Sequence, residues 1–225
     1  DIAHMYYRIG DMAKALSWAE KAHELAEKLN AYEVIASSYA SLGTIFGFTG
    51  DMKKAIECLE KALKMALEKG YMDTALRAYT NLANGLPAGE DERRLEYYEK
   101  GYELAKKVGA IHYVSWIGTL LSWMNIGMGN MNKAVSLSEG SVALDRKVGY
   151  MMHLSGALGT LGFVYQILGE WDKTEQYCKE ALSSSRGLKD FQAIGVSHGY
   201  FGLLHLDKGE YAKASEFFEK GYEVY

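Results

Sequence analysis

Residues 39–63 read YASLGTIFGFTGDMKKAIECLEKAL, and the Gly50-Asp51 pair near their centre decides the fold. Before that pair, Ile35, Tyr39, Leu42, Ile45 and Phe46 recur at the rhythm of a helix with one apolar side. After it, Ala55, Ile56, Leu59, Ala62, Leu63 and Ala66 form a second stripe, with Lys and Glu opposite. Gly50 stops the first helix, Asp51 caps the second, and Gly70 closes it. Two helices of about 16 to 19 residues, about 24 to 28 Å long, therefore fold back on each other as an antiparallel hairpin.

The hairpin recurs. GDMAKA begins at Gly10, GDMKKA at Gly50, GEDERR at Gly89, GNMNKA at Gly129, GEWDKT at Gly169 and GEYAKA at Gly209, a 40-residue period with one step of 39. A unit of this size cannot bury its apolar sides alone and must stack on its neighbours. Gly43, Gly162 and Gly202 share one first-helix position with Ala83 and Ser122, and Ala55, Ala134 and Ala214 share one second-helix position. Small side chains there let the helix axes approach closely.

The expected fold class is all-α, a single solenoid of antiparallel helix pairs over 1–225. Its units span 1–30 (partial), 31–70, 71–109, 110–149, 150–189 and 190–225. The chain enters at the last turns of one helix, finishes inside another and has no initiator Met. It reads as a stretch of a longer protein.

These residues resemble the tetratricopeptide repeat (TPR) superfamily. The family's pattern of aromatic, Leu-Gly, aromatic, Gly-Asp, Ala, bulky, Ala stands here as Tyr39, Leu42-Gly43, Phe46, Gly50-Asp51, Ala55, Leu59 and Ala62. It returns as Leu161-Gly162, Tyr165, Gly169-Glu170 and Ala181, and as Gly202, His205, Gly209-Glu210, Ala214 and Phe217. The resemblance covers the whole chain and implies a right-handed α-α superhelix. The family's standard unit has about 34 residues. The 40-residue unit resembles the helical regions of signal-transducing ATPases, nucleotide cyclases and LuxR-like transcription activators, as well as polarity scaffolds and kinesin light chains.

The third pair departs from the pattern. It is one residue short, carries Pro87 at the end of its first helix, and has Arg94 where its neighbours have Ala. Proline disfavours helix immediately before itself, so an irregularity is expected around 84–91. A change of local curvature and a specialised contact are the two readings of it.

In the resembled family the first helices line the concave side. The positions this implies for binding are Arg77, Asn81 and Asn84, then Trp116, Leu120 and Trp123, then Phe163, and finally Tyr200 and Leu203. The first group offers guanidinium and amide donors, but it does not reproduce the family's carboxylate clamp. The later group is aromatic and aliphatic, the kind of surface that dominates interfaces. An aromatic stripe at helical spacing also serves as inter-repeat core, and for Trp116, Trp123 and Phe163 both readings stand.

A net charge of −4 with both signs interspersed argues against nucleic acid or a membrane surface as partner. No apolar run is long enough to span a bilayer. Cys58 and Cys178 occupy equivalent positions three periods apart and read as two thiols of a reducing, cytoplasmic compartment. The six histidines form no HExxH or Cys/His cluster, and GALGTLG lacks the Lys-Ser/Thr of a phosphate loop. No enzyme, cofactor or metal is expected. The expected function is a protein- or peptide-binding scaffold within a signalling or regulatory protein, with flanking domains of its own chain as further candidate partners. The alternatives are a small-molecule-sensing or autoinhibitory region, and a spacer or self-association module.

Overall fold

The computed structural model describes residues 2–188 and 190–224, and the described residues form twelve α-helices and no strand. Two compact units divide the chain, Asp1–Gly109 and Ala110–Tyr225. The first holds α1 (Ile2–Arg8), α2 (Met12–Lys28), α3 (Tyr32–Phe48), α4 (Met52–Lys69), α5 (Met72–Gly85) and α6 (Asp91–Val108). The second holds α7 (Ile111–Gly127), α8 (Met131–Val148), α9 (Met151–Ile167), α10 (Trp171–Leu188), α11 (Phe191–Asp207) and α12 (Tyr211–Tyr222). Each is all-α, built from the helix hairpins of a TPR-like solenoid.

Local chemistry sets the hairpin ends. Gly50 adopts φ +87°, a left-handed conformation that releases the chain from α3. Asp51 then accepts a hydrogen bond from the Lys54 amide at 3.2 Å, one of the orphan donors of α4. Asp11 and Asp190 cap α2 and α11 in the same way, at 3.1 and 3.0 Å. At the other end of the hairpin, Asn30 stands at φ +52° in the register where later units place Gly70, Gly109 and Gly149.

Small residues bring the helices together as the register requires. A methyl group at Gly43 would lie 2.6 Å from Leu59 Cγ and 2.9 Å from the Ala55 carbonyl oxygen, so α3 touches the backbone of α4. Ala40, Ala62 and Ala78 form one closely packed cluster across α3, α4 and α5. In the second unit, Val142 of α8, Leu154, Leu158, Leu161 and Tyr165 of α9, and Ala181 of α10 build the core that joins these three helices. Each fully buried Leu of this kind contributes about 1.5–3 kcal/mol.

Within each unit the first helices lie side by side: α1, α3 and α5 in one, α7, α9 and α11 in the other. Among the described residues the second helices pack chiefly against first helices, not against each other. Close first helices and separated second helices place the first-helix row on the inner side of each unit.

The irregular third pair has a definite internal explanation. α5 ends at Gly85 and Leu86 is extended, so the last carbonyls of α5 have no partner from a further turn of helix. The Arg94 guanidinium donates to the carbonyls of Ala83 (3.2 Å), Leu86 (2.7 Å) and Pro87 (3.1 Å), and also bonds Asp91. The Arg94 contacts at this site are ones the protein makes with itself.

Candidate functional site

The inner row of the second unit consists of α7, α9 and α11. Trp116 and Trp123, two turns apart on α7, are each 38% exposed. Trp123 stacks on Phe163 of α9 with ring centres 5.0 Å apart, and its indole N–H donates to Thr160 Oγ1 at 2.9 Å. Phe163 in turn lies 6.2 Å from the ring of Tyr200 on α11. The row thus continues through three helices. Leu120 and Leu203 are half-buried within it.

Tyr200 is held by its surroundings. A side chain at Gly159 would come within 2.5 Å of Tyr200 Cε2, so that glycine makes the space the ring fills. Burial pushes the phenol up to about 12, with the Thr160 hydroxyl pulling slightly the other way. Trp116 packs near His153 at 5.5 Å and parallel to Tyr113 at 6.3 Å. Burial, and then the neighbouring His112, holds the His153 imidazole below its usual value. Beside these rings an open depression of 220 Å³ lies between α9 and α11, with Met152, Gly156, Val196 and Tyr200 in its wall.

The first unit's row is different in kind. Arg77 donates through one nitrogen to both the carbonyl and the hydroxyl of Ser37, each at 2.9 Å. Asn81 Nδ2 donates to Thr44 Oγ1 at 2.8 Å, and Asn84 Oδ1 accepts from the Tyr98 hydroxyl. Arg77 and Asn81 are half-buried and Asn84 is exposed. These polar groups chiefly tie α3, α5 and α6 together. The structure brings Trp123, Phe163 and Tyr200 into one aromatic run, with Trp116 at the far end of α7.

One buried residue departs from its slot in the register. Asp145 on α8 is 0% exposed, and neither carboxylate oxygen has a hydrogen-bond partner. The Ser115 hydroxyl beside it is directed to the Ser141 carbonyl, while Ser141 returns a bond to the Ser115 carbonyl. Burial raises the pKa of Asp145, and Ser115 lowers it by less. The signal was present in the register, because Ala26, Ala66 and Ala105 occupy the same slot.

Among the described residues, no group of three or more His, Cys, Asp or Glu could hold a metal, and no helix is long and apolar enough to cross a membrane. Burial raises the pKa of Cys58, and that of Cys178 to about 12.

Comparison with known proteins agrees with the architecture. Tetratricopeptide repeat protein 29 of Trypanosoma brucei brucei is 24% identical over 220 residues, covering 91% of this chain. The chain spans 45% of that relative's length. Among solved structures, BtubC from P. vanneervenii superposes with a TM-score of 0.78 at 17% identity, over 95% of this chain and 90% of its own. A signal transduction ATPase with numerous domains and a tetratricopeptide repeat sensor, from Pyrococcus horikoshii, gives 0.77 at 16% identity, over 96% of this chain and 33% of its own. A Rap protein complexed with Competence and Sporulation Factor gives 0.74 at 11% identity, over 99% and 72%. The family model for the tetratricopeptide repeat matches residues 1–68 and 154–225. With the 40-residue register, the paired helices and this match together, the chain belongs to the tetratricopeptide repeat family.

Proposed function

We propose that this chain is a non-catalytic protein-binding scaffold that receives its partner on the inner face of Ala110–Tyr225, as part of a larger cytoplasmic signalling or regulatory protein. The observation that carries this reading is the exposure of Trp116 and Trp123 on a packed helix row. Large aromatic rings left partly in water, but fixed by neighbours such as Thr160 and Phe163, lose little further freedom on binding. Among structures of the same fold, one belongs to a protein with a tetratricopeptide repeat sensor and another was solved in complex with a second molecule.

Unit Asp1–Gly109 has a supporting role in this reading. The contacts of Arg77 and Asn81 hold its helices in place and leave recognition to the aromatic row. On the aromatic face a small-molecule sensor is favoured less than a protein partner. The 220 Å³ depression beside Tyr200 falls short of the roughly 300–1,000 Å³ of ligand pockets and opens to solvent.

Site-specific photo-crosslinking tests the proposal. A benzophenone side chain placed at Met152 or Val196 should capture the partner from the source cell's lysate, whereas one at Gln176 on the outer helix α10 should not. Equal capture from Gln176 would refute the assignment of the face.

A further inference from the structure

We propose that the occupant of the Ala110–Tyr225 inner face is an amphipathic α-helix whose docking side carries aliphatic and aromatic residues and no charge. The proposal rests on the binding-face reading above and adds the class of partner.

Charge supplies the first reason. α7 and α9 contain no Asp, Glu, Lys or Arg, and α11 contains only Asp207 at its last position, where Gln166 Nε2 donates to it at 2.5 Å. Asp190 and Lys208 flank α11 at its two ends, and the outer helices carry charge pairs such as Lys179 with Glu175 at 2.6 Å and Arg146 with Glu180 at 2.5 Å. A carboxylate or ammonium docked against α7 and α9 would lose hydration and meet no acidic or basic side chain from those helices, and Asp190, in the wall of the depression, already accepts from the Ala193 amide as the cap of α11. A charged side chain there weakens binding whatever its sign.

Backbone satisfaction chooses helix over extended chain. An extended segment brings an N–H and a C=O at each residue, and each needs a partner once covered. Several of the inner row's donors are already engaged within the row. Thr119 donates to the Ser115 carbonyl (3.1 Å), Thr160 to that of Gly156 (3.0 Å) and Ser197 to that of Ala193 (2.8 Å). Trp123 donates to Thr160. A helix satisfies its own backbone and offers only side chains.

Shape agrees with this. A methyl group at Gly156 or Gly199 would meet nothing within 4 Å, so α9 and α11 are open at those points while Trp116, Met152 and Val196 stand exposed nearby. A trough flanked by large apolar side chains receives the ridge of a helix. Trp116 and Trp123 are seven residues apart, about 10.5 Å along the axis, which matches anchors at i and i+7 of a docking helix.

Selection from displayed peptides against the intact 225-residue chain tests the proposal. Four pools are used: helices with an uncharged apolar docking side, with an acidic one, with a basic one, and a proline-interrupted pool matching the first in composition. Only the first pool should be enriched. Binding of the recovered helices should fall at least about tenfold in Gly156→Leu and in Gly199→Leu, and persist in Gln176→Leu, with all three variants checked for unchanged helicity and melting. Enrichment of an acidic, basic or proline-interrupted pool that is lost in Gly156→Leu would overturn the helix proposal while leaving the face in place. Recovered helices indifferent to both glycine variants would overturn the face as well. Failure of every pool to be enriched would contradict the proposal outright.

Discussion

Trp123 donates its indole N–H to Thr160 Oγ1 at 2.9 Å, one period along the chain, and Asn81 donates to Thr44 Oγ1 at 2.8 Å across the corresponding step of the first unit. The same rung between successive first helices is built once from an indole and once from an amide. Because the N–H is engaged, Trp123 offers a partner only its ring. Trp123→Phe keeps the stack on Phe163 but removes the donor, and should lower the unfolding free energy by about 0.5–1.5 kcal/mol in urea. Thr160→Val should cost a similar amount, and the double variant less than their sum.

Arg94 makes a prediction against the repeat's own register. Its equivalents are Ala55, Ala134 and Ala214, yet Arg94→Ala should destabilise the protein by about 1.5–3 kcal/mol, because three carbonyls near the end of α5 lose a charged donor. Arg94→Lys should recover only part, since an ammonium lacks the planar fork. Chemical denaturation of the three proteins checks both statements.

Asp145 makes the opposite one. Its folded-state pKa is raised by burial, so the folded protein holds a proton that the unfolded chain releases. Its contribution to stability is greatest below the ordinary value of 3.8, falls as pH rises through the window up to the raised value, and is flat above it. Asp145→Ser restores the slot's small residue, and Ser185 at the equivalent position bonds the Leu182 carbonyl at 3.1 Å. The variant should be more stable than wild type by roughly 1–3 kcal/mol at pH 7.5, with the gap narrowing in acid. Asp11, Asp51 and Glu210, whose pKa values are lowered chiefly by hydrogen bonds from Lys14, Lys54 and Lys213, lose stability as pH falls in both proteins. The difference between the two titrations isolates Asp145.

Two glycines should respond with opposite sign. Gly43→Ala forces a methyl group against Leu59 and the Ala55 carbonyl, and should cost about 1–3 kcal/mol. Gly156→Ala meets open space inside a helix and should gain about 0.5–1 kcal/mol. Thermal melts of the pair test whether close approach, rather than glycine as such, is what the register encodes.

The period around Gly50 was enough to read the architecture, because helix length, caps and small-residue positions are local properties repeated several times. The site was legible only in part. Trp116 and Trp123 fall on the inner row through the family resemblance, which says which helix of each pair faces inward, whereas register fixes only their place along α7. Arg77 and Asn81 looked like free donors because their acceptors, Ser37 and Thr44, lie 40 and 37 residues away. The space that seats Tyr200 is made by Gly159, a relation between side-chain shapes that no helical rhythm encodes. Arg94 stood out as a departure, but its role depends on where α5 stops.

The most direct test of the account is the affinity of the captured partner for wild type and for Gly156→Leu, measured by titration calorimetry at matched helicity and melting temperature. The account predicts binding at least about tenfold weaker in the variant, because the Cβ of a side chain at 156 meets nothing within 4 Å and the leucine extends into the trough. Equal affinity for the two proteins would contradict it and move the binding surface elsewhere on the chain.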